Sequence, residues 1–264
     1  GYSNSGITGD KTEVSLGLTD YWVVKVDANG SIEWQKTIGG SGSDVATEVL
    51  QTFDDGYIIC GYSNSGSSLQ KSESSVAGSY DYWVVKLSSF GVIEWENTIG
   101  GSLFDFAHSI VQAGDGGYLV GGSSNSGVSG DKTETSMGVD DYWIVKLNSA
   151  GTMDWQNTIG GASGDYLYSL SINADGTFLA AGTSYSSNSG DKTEANLGSD
   201  SDYWILKLNS SGAIIWQNTI GGNNADALQT SSSTADNGYL LCGYSISPIS
   251  GDKTEGVIGG NDYW

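Results

Sequence analysis

The chain has 264 residues, enough for one large domain or two small ones with a sizeable core. All 10 basic residues are lysine, and 31 acidic residues bring the formal net charge to −21. That charge excludes nucleic acid as a partner and disfavours an anionic membrane surface, because both depend on clustered lysine and arginine. The sequence has no apolar run of about 18 residues, so we expect no membrane insertion. Aromatic residues at 11% indicate a folded chain despite its 40 glycines.

The main feature of the sequence is a tandem repeat of about 60 residues. An Asp-Tyr-Trp tripeptide recurs at this spacing, and a second tryptophan follows it in each repeat. The two series are Trp22, Trp83, Trp143, Trp204 and Trp264, and Trp34, Trp95, Trp155 and Trp216. We place the repeats at approximately 1–40 (partial), 41–100, 101–160, 161–221 and 222–264 (partial).

Each repeat is predicted to contain four short strands. In chain order, a first strand ends at a turn, a second enters a long polar loop, and a second turn joins the third strand to the fourth. In one repeat these elements are Val45–Phe53, the turn Asp54–Gly56, Tyr57–Cys60, Tyr82–Leu87, the turn Ser88–Gly91 and Val92–Ile99. The two middle strands are apolar on both faces, which indicates sheets stacked on sheets.

Tandem four-stranded antiparallel units predict an all-β fold, specifically a β-propeller with blades of about 60 residues. The chain then forms a single propeller, or a segment of one, with four full repeats and a partial one. A β-sandwich would not require a repeated sequence, and a β-solenoid would show a much shorter period. Because residues 1–22 and 243–264 carry the same part of the repeat, we expect the chain to belong to a longer polypeptide.

An Asp-Lys-Thr-Glu motif lies in the long loop at 10–13, 131–134, 191–194 and 252–255, and reads Gln-Lys-Ser-Glu at 70–73. Its carboxylates are hard oxygen ligands, so calcium is the one cofactor considered. The candidate ligands are Asp10, Glu13, Asp131, Glu134, Asp191, Glu194, Asp252 and Glu255. We prefer a structural interpretation, a capping box in which the aspartate caps a helical turn and the glutamate reaches back to it.

Two further charged positions recur once per repeat. An aspartate precedes the first strand, at Asp44, Asp105, Asp165 and Asp226. A lysine lies in the third strand, at Lys25, Lys86, Lys146 and Lys207. Catalysis would require an asymmetric arrangement, so we interpret both positions as architectural, either as an ion pair with each other or as backbone caps.

The rarer residue types also favour structural roles. The single histidine, His108, lies where other repeats carry Thr47, Tyr168 or Gln229, and no catalytic partner accompanies it in the sequence. Cys60 and Cys242 share one strand position and are predicted to be buried free thiols. The repeated tryptophans are interpreted as packing residues between sheets rather than as a sugar-binding platform.

Binding is expected on the face that carries the long loop and the Gly-Gly loop before the first strand. These two loops are predicted to emerge at the same end of each unit, and long loops on a rigid scaffold commonly carry binding sites. Residues that vary between repeats are the candidates for recognition. We select Tyr80, Phe104, Tyr185, Asn223 and Asn224 as ligand-binding candidates.

Three segments carry a resemblance to a known family, namely Gly39–Asp44, Asp55–Ser63 and Asp81–Leu87. They resemble the repeats of bacterial secreted β-propeller proteins, which show GGSGxD, DGxxxxxGYS and YVVKLxxxG stretches. The resemblance covers essentially the whole chain and implies a secreted or cell-surface bacterial protein, with export by type IX secretion. It transfers no catalytic residues, and the Asp-Lys-Thr-Glu loop departs from the family pattern.

These observations predict a non-catalytic, adhesin-like interaction or scaffold module of a larger secreted protein. Its expected partner is a protein or glycan at the cell surface, bound through the face with the Asp-Lys-Thr-Glu loops. The alternative is a carbohydrate-binding module of a protein that acts on polysaccharides, because amides and aromatic rings suit sugars. A hydrolase is a third hypothesis, but no repeat breaks the pattern with a catalytic constellation.

Overall fold

The computed structural model describes residues 1–264 and contains eighteen β-strands, one 3₁₀ turn at Val76–Gly78 and no α-helix. The strands are β1 (Tyr2–Ser3), β2 (Asp20–Val26), β3 (Ile32–Ile38), β4 (Asp44–Gln51), β5 (Tyr57–Ser63), β6 (Asp81–Leu87), β7 (Ile93–Ile99), β8 (Asp105–Gln112), β9 (Tyr118–Ser124), β10 (Asp141–Leu147), β11 (Met153–Ile159), β12 (Asp165–Ile172), β13 (Phe178–Ser184), β14 (Asp202–Leu208), β15 (Ile214–Ile220), β16 (Asp226–Ser233), β17 (Tyr239–Ser245) and β18 (Asp262–Tyr263). The prediction of an all-β fold is therefore confirmed. No helix in the structure has the length and apolar character needed to cross a membrane.

The strands form five sheets of three or four strands, in which strands that follow one another in sequence are neighbours. The four-stranded sheets are β4–β7, β8–β11 and β12–β15, and the three-stranded sheets are β1–β3 and β16–β18. Pairing is antiparallel, for example with Trp83 opposite Gly61 on one side and Thr98 on the other. The predicted repetition of blade-like units with four strands is confirmed.

A β-bulge interrupts the first strand of three of the sheets at the same repeat position. The extra residues are Thr47 in β4, Tyr168 in β12 and Gln229 in β16. A bulged residue has no direct partner in the ladder, and its side chain is re-aimed relative to its neighbours. This freedom from pairing explains why the residue type at this position changes from repeat to repeat.

The chain divides into two compact units. Unit 1 comprises residues 1–110, 126–133 and 149–152, and unit 2 comprises residues 111–125, 134–148 and 153–264. In unit 1, Tyr21 and Ile38 of the first sheet pack against Ile59, Trp83 and Val85 of the second. The Tyr21 hydroxyl donates to the carbonyl oxygen of Trp83 at 3.1 Å, and the two rings lie 4.8 Å apart.

Unit 2 repeats this contact twice. Tyr142 donates to the Trp204 carbonyl oxygen at 3.0 Å, and Tyr203 donates to the Trp264 carbonyl oxygen at 3.1 Å. Trp204, like Trp83 in unit 1, is fully buried. Burying a side chain of this size contributes roughly 4–6 kcal/mol of transfer free energy as an upper estimate. The prediction that the first tryptophan series packs sheet against sheet is confirmed.

The second tryptophan series packs against a turn glycine of the following repeat. A Cβ at Gly212 would lie 2.8 Å from the Trp155 ring, and one at Gly151 would lie 2.7 Å from the Trp95 ring. Both glycines also have positive φ, at 83°. Only glycine satisfies both demands at low cost, so the turn and the tryptophan of neighbouring repeats fit together.

Candidate functional site

The two loops predicted to share a face contact each other in the four repeats that follow residue 40. In the second repeat, the N–H of Gly42 donates to Ser65 Oγ at 2.9 Å, and the N–H of Ser41 donates to Ser68 Oγ at 3.0 Å. The same bonds join Leu103 to Ser126, Ser102 to Ser129, Ser163 to Ser186, Ala162 to Ser189, Asn224 to Ser247 and Asn223 to Ser250. Serine hydroxyls thus tie the two loops into one surface, which we call the loop face.

The lysine of the Asp-Lys-Thr-Glu motif is buried beneath this surface. Lys192 Nζ donates to the Glu194 carbonyl oxygen at 2.8 Å, to Asn196 Oδ1 at 3.0 Å and to Thr219 Oγ1 at 2.8 Å. It also lies over the Trp204 ring, 5.9 Å from the centroid. Burial lowers the pKa of this lysine, although nearby carboxylates oppose the shift. The motif is therefore organised around its cation, which sequence reasoning about its carboxylates missed.

The glutamate of the motif accepts a hydrogen bond from the fourth strand of its own repeat. Glu13 Oε2 accepts from the N–H of Thr37 at 2.5 Å, and Glu194 Oε2 accepts from the N–H of Thr219 at 2.8 Å. Glu134 does the same with Thr158 at 2.6 Å. Glu255 is exposed, as Glu134 and Glu194 are. The expected capping box has the glutamate reach back to its own turn, and the structure corrects this. No helix begins at the motif, since the one 3₁₀ turn, Val76–Gly78, follows Ser75 and has no side-chain cap, whereas the fourth strand offers an N–H donor.

The aspartate of the motif accepts a hydrogen bond from the repeat that precedes it. Asp131 Oδ2 accepts from the N–H of Gly100 at 3.1 Å, and Asp191 and Asp252 bind the equivalent glycines at 3.3 Å. In the variant copy, Gln70 Oε1 accepts from the N–H of Gly39 at 3.3 Å. Glutamine replaces aspartate because the position requires an acceptor oxygen rather than a charge. Asp10 is exposed, at the position equivalent to these aspartates.

The aspartate and the glutamate of one motif thus accept from separate backbone N–H groups. Within one motif, Asp191 reaches a glycine N–H and Glu194 reaches a threonine N–H. No group of three or more His, Cys, Asp or Glu side chains in the structure could hold a metal ion. The calcium hypothesis stays a prediction.

The aspartate before each first strand is a backbone cap. Asp44 is fully buried, and its Oδ2 accepts from the N–H of Gly40 at 2.8 Å and from Ser65 Oγ at 3.1 Å. Lys86, in the third strand, instead forms ion pairs with Asp54 and Glu94, each at 3.0 Å. Of the two expected roles, the cap is confirmed, and the ion pair between the repeated aspartate and lysine is wrong.

A second buried aspartate, the first residue of the Asp-Tyr-Trp tripeptide, lies near the cap. Burial raises the pKa of Asp81 to about 7, and the charge of Asp105 adds to the shift. Burial likewise raises the pKa of Asp202 to about 6, with Asp226 contributing. The Oδ1 atoms of Asp202 and Asp226 are buried and have no hydrogen-bond partner. Such pairs favour a proton on one carboxyl, because two adjacent buried charges repel each other.

In unit 1, the candidates Tyr80 and Phe104 belong to a cluster of four aromatic side chains that we call the ring cluster. The Phe104 and Phe106 rings are stacked with centroids 5.9 Å apart. Tyr62 meets Phe106 edge to face at 4.9 Å and Tyr80 edge to face at 5.4 Å. Phe104 is 46% exposed. The structure thus joins two predicted residues to two that the sequence analysis did not select.

In unit 2, the candidate Tyr185 belongs to a different cluster, which we call the phenol cluster. It consists of Asp140, Tyr166, Tyr168, Tyr185 and Tyr244. The Tyr166 hydroxyl donates to Asp140 Oδ2 at 3.1 Å, and its ring meets the Tyr185 ring edge to face at 6.2 Å. Burial raises the pKa of Tyr166 to about 12, and the charge of Asp140 adds to this shift. The phenol therefore stays a donor to the carboxylate.

The last two binding candidates lie on the loop face near the C-terminus. Asn223 and Asn224 are exposed, and Asn224 Nδ2 donates to the carbonyl oxygen of Ile246 at 3.2 Å. Their backbone N–H groups bind the two loop serines described above, so the Gly-Gly loop is held in place while the amide of Asn223 faces outward.

The histidine and the cysteines differ in their surroundings. His108 is half-buried, and burial lowers its pKa to about 4, which leaves the imidazole neutral. Both cysteines are free thiols. Cys60 is buried, and burial raises its pKa to about 12, whereas Cys242 is exposed. The prediction of burial is wrong for Cys242 because β18 pairs only with Tyr244 and Ser245 of β17.

Aligning the repeats could have revealed the missed residues of both clusters. Phe106 and Tyr166 share one repeat position, and Tyr80 and Asp140 share another. Each is an aromatic or acidic residue at a position where another repeat carries a smaller, uncharged one, Val45 at the first position and Thr19 at the second. The signal is the coincidence of several such changes around one junction between repeats.

No protein-family model matches the chain, and the search of curated proteins found no match. Among solved structures, the chain is similar to a protein of unknown function from Bacteroides caccae, with 10% sequence identity and a TM-score of 0.45. The match covers 84% of this chain and 61% of that one, so this chain spans less than two thirds of that protein. At this level of similarity the comparison assigns neither a family nor an activity.

Proposed function

We propose that the chain is a non-catalytic interaction module that binds a partner through the loop face. The residues that recur in every repeat hold the loops in place, as the buried Lys192 and the backbone cap Asp44 illustrate. The residues that differ between repeats form clusters that are partly exposed. Recognition therefore falls to the variable residues, since the repeated ones are already used within the fold.

The observation that carries this proposal is the ring cluster. Phe104 is 46% exposed while its ring lies in contact distance of Tyr80 and Phe106. An exposed group of adjacent rings is costly in water unless a partner covers it, and aromatic residues are enriched at the centres of protein interfaces. A protein partner at a bacterial cell surface agrees with the family resemblance and with the acidic composition.

The arrangement of the sheets as blades of a β-propeller is part of the same proposal. Its support is the regular sequence period, the four strands per repeat and the Tyr–Trp contact between successive sheets that recurs within unit 1 and within unit 2. Secretion to the cell surface, within a longer polypeptide, rests on the resemblance alone.

A carbohydrate-binding module is the second candidate, supported by one observation. The Phe104 and Phe106 rings are nearly parallel, with an interplanar angle of 11°, and sugar rings bind by stacking on exposed aromatic faces. A glycan array with the purified chain separates the two functions. Specific glycan binding that is lost on Phe104→Ser would favour the carbohydrate function.

The proposal is tested with a variant built from substitutions that other repeats already carry. Tyr80 corresponds to Ser201 and Phe104 corresponds to Ser43, so Tyr80→Ser with Phe104→Ser is compatible with the fold. We expect the labelled wild-type chain to bind bacterial cell surfaces, and the double variant to lose about tenfold or more in affinity, as hot-spot residues do.

The matched control removes an exposed aromatic residue outside the loop face. Phe90 lies in the turn between β6 and β7 and is 80% exposed, so Phe90→Ser should leave both binding and melting temperature unchanged. Equal binding by the wild type and the double variant would contradict the proposal.

A further inference from the structure

We propose that the phenol cluster binds the ammonium group of a lysine side chain presented by a partner protein, an inference that rests on the proposed function. The carboxylate of Asp140, a member of this cluster, accepts a hydrogen bond from the Tyr166 hydroxyl at 3.1 Å. Tyr185 is 52% exposed and Tyr244 is 40% exposed, so one side of the cluster is open.

Two contacts bring the members of this cluster together: the Tyr166 hydroxyl donates to Asp140, and the Tyr166 ring meets the Tyr185 ring edge to face at 6.2 Å. Burial raises the pKa of Tyr168, and Tyr185, Tyr244 and Asp140 add to the shift. A group that reaches this pair meets the Asp140 carboxylate beside the oxygen of the Tyr166 phenol. These are acceptors for an N–H donor, and they repel anions.

The charge of the site selects a cation. The aromatic faces carry negative potential and attract an ammonium group, and the Asp140 carboxylate adds a direct ion pair. The net charge of −21 attracts cationic partners over a longer range. The carboxylate would repel an anionic ligand, and a neutral ligand would lack the ion pair.

The exposed ring of Tyr185 favours lysine over a small inorganic ion. A lysine side chain carries a four-carbon stem that can lie along an aromatic face while its ammonium group reaches the carboxylate. The Tyr166 ring stands at 90° to the Tyr185 ring and forms one wall for such a stem. The ring cluster has Tyr80 at the position of Asp140 and carries no carboxylate there. The two clusters thus differ in the group that would bind the ammonium ion.

The test uses n-butylammonium as a mimic of the lysine side chain, with n-butanol as its uncharged counterpart, in saturation-transfer NMR at low salt. We expect n-butylammonium to bind with a dissociation constant on the order of 10 mM and n-butanol not to bind measurably. Asp140→Asn should weaken binding about fivefold or more, because the amide keeps the acceptor for Tyr166 and removes only the charge. Tyr185→Ala should weaken it by a similar factor.

Two controls separate the site from the general acidity of the chain. Asp55→Asn removes an exposed carboxylate of unit 1 from a turn residue with φ of 64°, a conformation that asparagine tolerates. Phe104→Ser alters the ring cluster. Both variants should bind n-butylammonium as the wild type does. Equal loss in Asp55→Asn and Asp140→Asn, equal binding of n-butanol, or tighter binding of n-butylguanidinium would overturn the proposal.

Its failure can be distinguished from failure of the proposed function. If n-butylammonium does not bind but the Tyr80→Ser, Phe104→Ser variant still loses cell-surface binding, the lysine site is wrong and the interaction module stands. If the wild type binds n-butylammonium through Asp140 but binds no cell surface or protein, the site exists and the proposed function is wrong.

Discussion

The ring cluster of unit 1 and the phenol cluster of unit 2 share two positions of the repeat but present different chemistry there. Phe106 and Tyr166 occupy the second position of the first strand, and Tyr80 and Asp140 precede the third strand. In unit 1 these positions place two rings with centroids 5.7 Å apart. In unit 2 they place a phenol that donates to a carboxylate.

The comparison shows how a repeat can change its surface residues while the buried Tyr–Trp contact between its sheets, which we call the frame, stays the same. A fully buried tryptophan of the first series belongs to the core of each unit, Trp83 in unit 1 and Trp204 in unit 2. The tyrosine that packs on this tryptophan, Tyr21 or Tyr142, makes the same hydrogen bond to the carbonyl oxygen in both units. The residues outside this frame, such as Tyr80 in unit 1 and Asp140 in unit 2, decide whether the surface is apolar or anionic.

The largest effect on stability is expected when the buried tryptophan of this frame is removed. Trp83→Ala and Trp204→Ala should each reduce the free energy of unfolding by about 3–5 kcal/mol, because each leaves a cavity between two sheets. Urea unfolding monitored by circular dichroism measures both. Trp216→Ala, at a residue that is 36% exposed, is the control and should cost about 1 kcal/mol. Strongly unequal losses in the two units would show that the frames differ.

A smaller effect is expected from the buried lysine beneath the loop that carries Tyr185. Lys192→Met should destabilise by about 1–3 kcal/mol, because the buried Thr219 Oγ1 and the Glu194 carbonyl oxygen both lose their donor. Lys207→Met is the matched control, since this lysine pairs with an exposed aspartate, and it should cost under about 1 kcal/mol. Thermal unfolding of both variants measures the difference, and equal effects would contradict the assigned role of the motif lysine.

The buried aspartates predict that stability falls as the pH rises. The folded-state pKa values of Asp81 and Asp202, about 7 and about 6, exceed that of an unfolded aspartate near 3.8, so the folded chain binds protons more tightly. Their stabilisation is complete below pH 4 and is lost as the pH rises through 6 to 7. Each pKa unit corresponds to about 1.4 kcal/mol, and solvent screening reduces this value. We therefore expect the free energy of unfolding to fall by on the order of 1–3 kcal/mol.

Unfolding at pH 5 and pH 8 checks this expectation. Asp81→Asn and Asp202→Asn should each flatten the dependence, because an amide mimics the protonated carboxyl and keeps the acceptor for the nearby N–H. Asp54, whose pKa the Thr52 hydroxyl and Lys86 lower to about 2, titrates outside this interval, so Asp54→Asn is the control. A stability that rises between pH 5 and pH 8 would refute the assignment.

The smallest effect on stability, and the sharpest test of the comparison, comes from converting one cluster into the other. Tyr80→Asp with Phe106→Tyr gives unit 1 the two groups that form the Tyr166–Asp140 hydrogen bond in unit 2. We expect a change in stability of less than about 1 kcal/mol, since both positions are partly exposed. The double variant should gain a second n-butylammonium site, which NMR titration would detect. No gain would mean that Tyr185 and Tyr244 are needed as well.

Much of the fold could be predicted because its causes are local and repeated. The apolar run around Trp83 and the turn at Asp54 mark strands and hairpins by short-range patterns. The candidate sites were harder to predict from the sequence, because their contacts join residues that lie far apart in the chain. Tyr62 and Phe106 lie 44 positions apart in sequence, and their contact depends on how two successive sheets pack. The partner of Glu194, a threonine 25 positions away, depends in the same way on sheet register, so a local capping rule could not find it.

The bond between this motif glutamate and the threonine N–H has a consequence for the chain in solution. β7, β11 and β15 are the outermost strands of their sheets, where free N–H groups invite strands from other molecules. Glu73, Glu134 and Glu194 occupy one such donor on each strand and place a negative charge beside it. An incoming strand would have to displace a carboxylate at each of these edges, so the motif protects the repeat against aggregation through its own backbone.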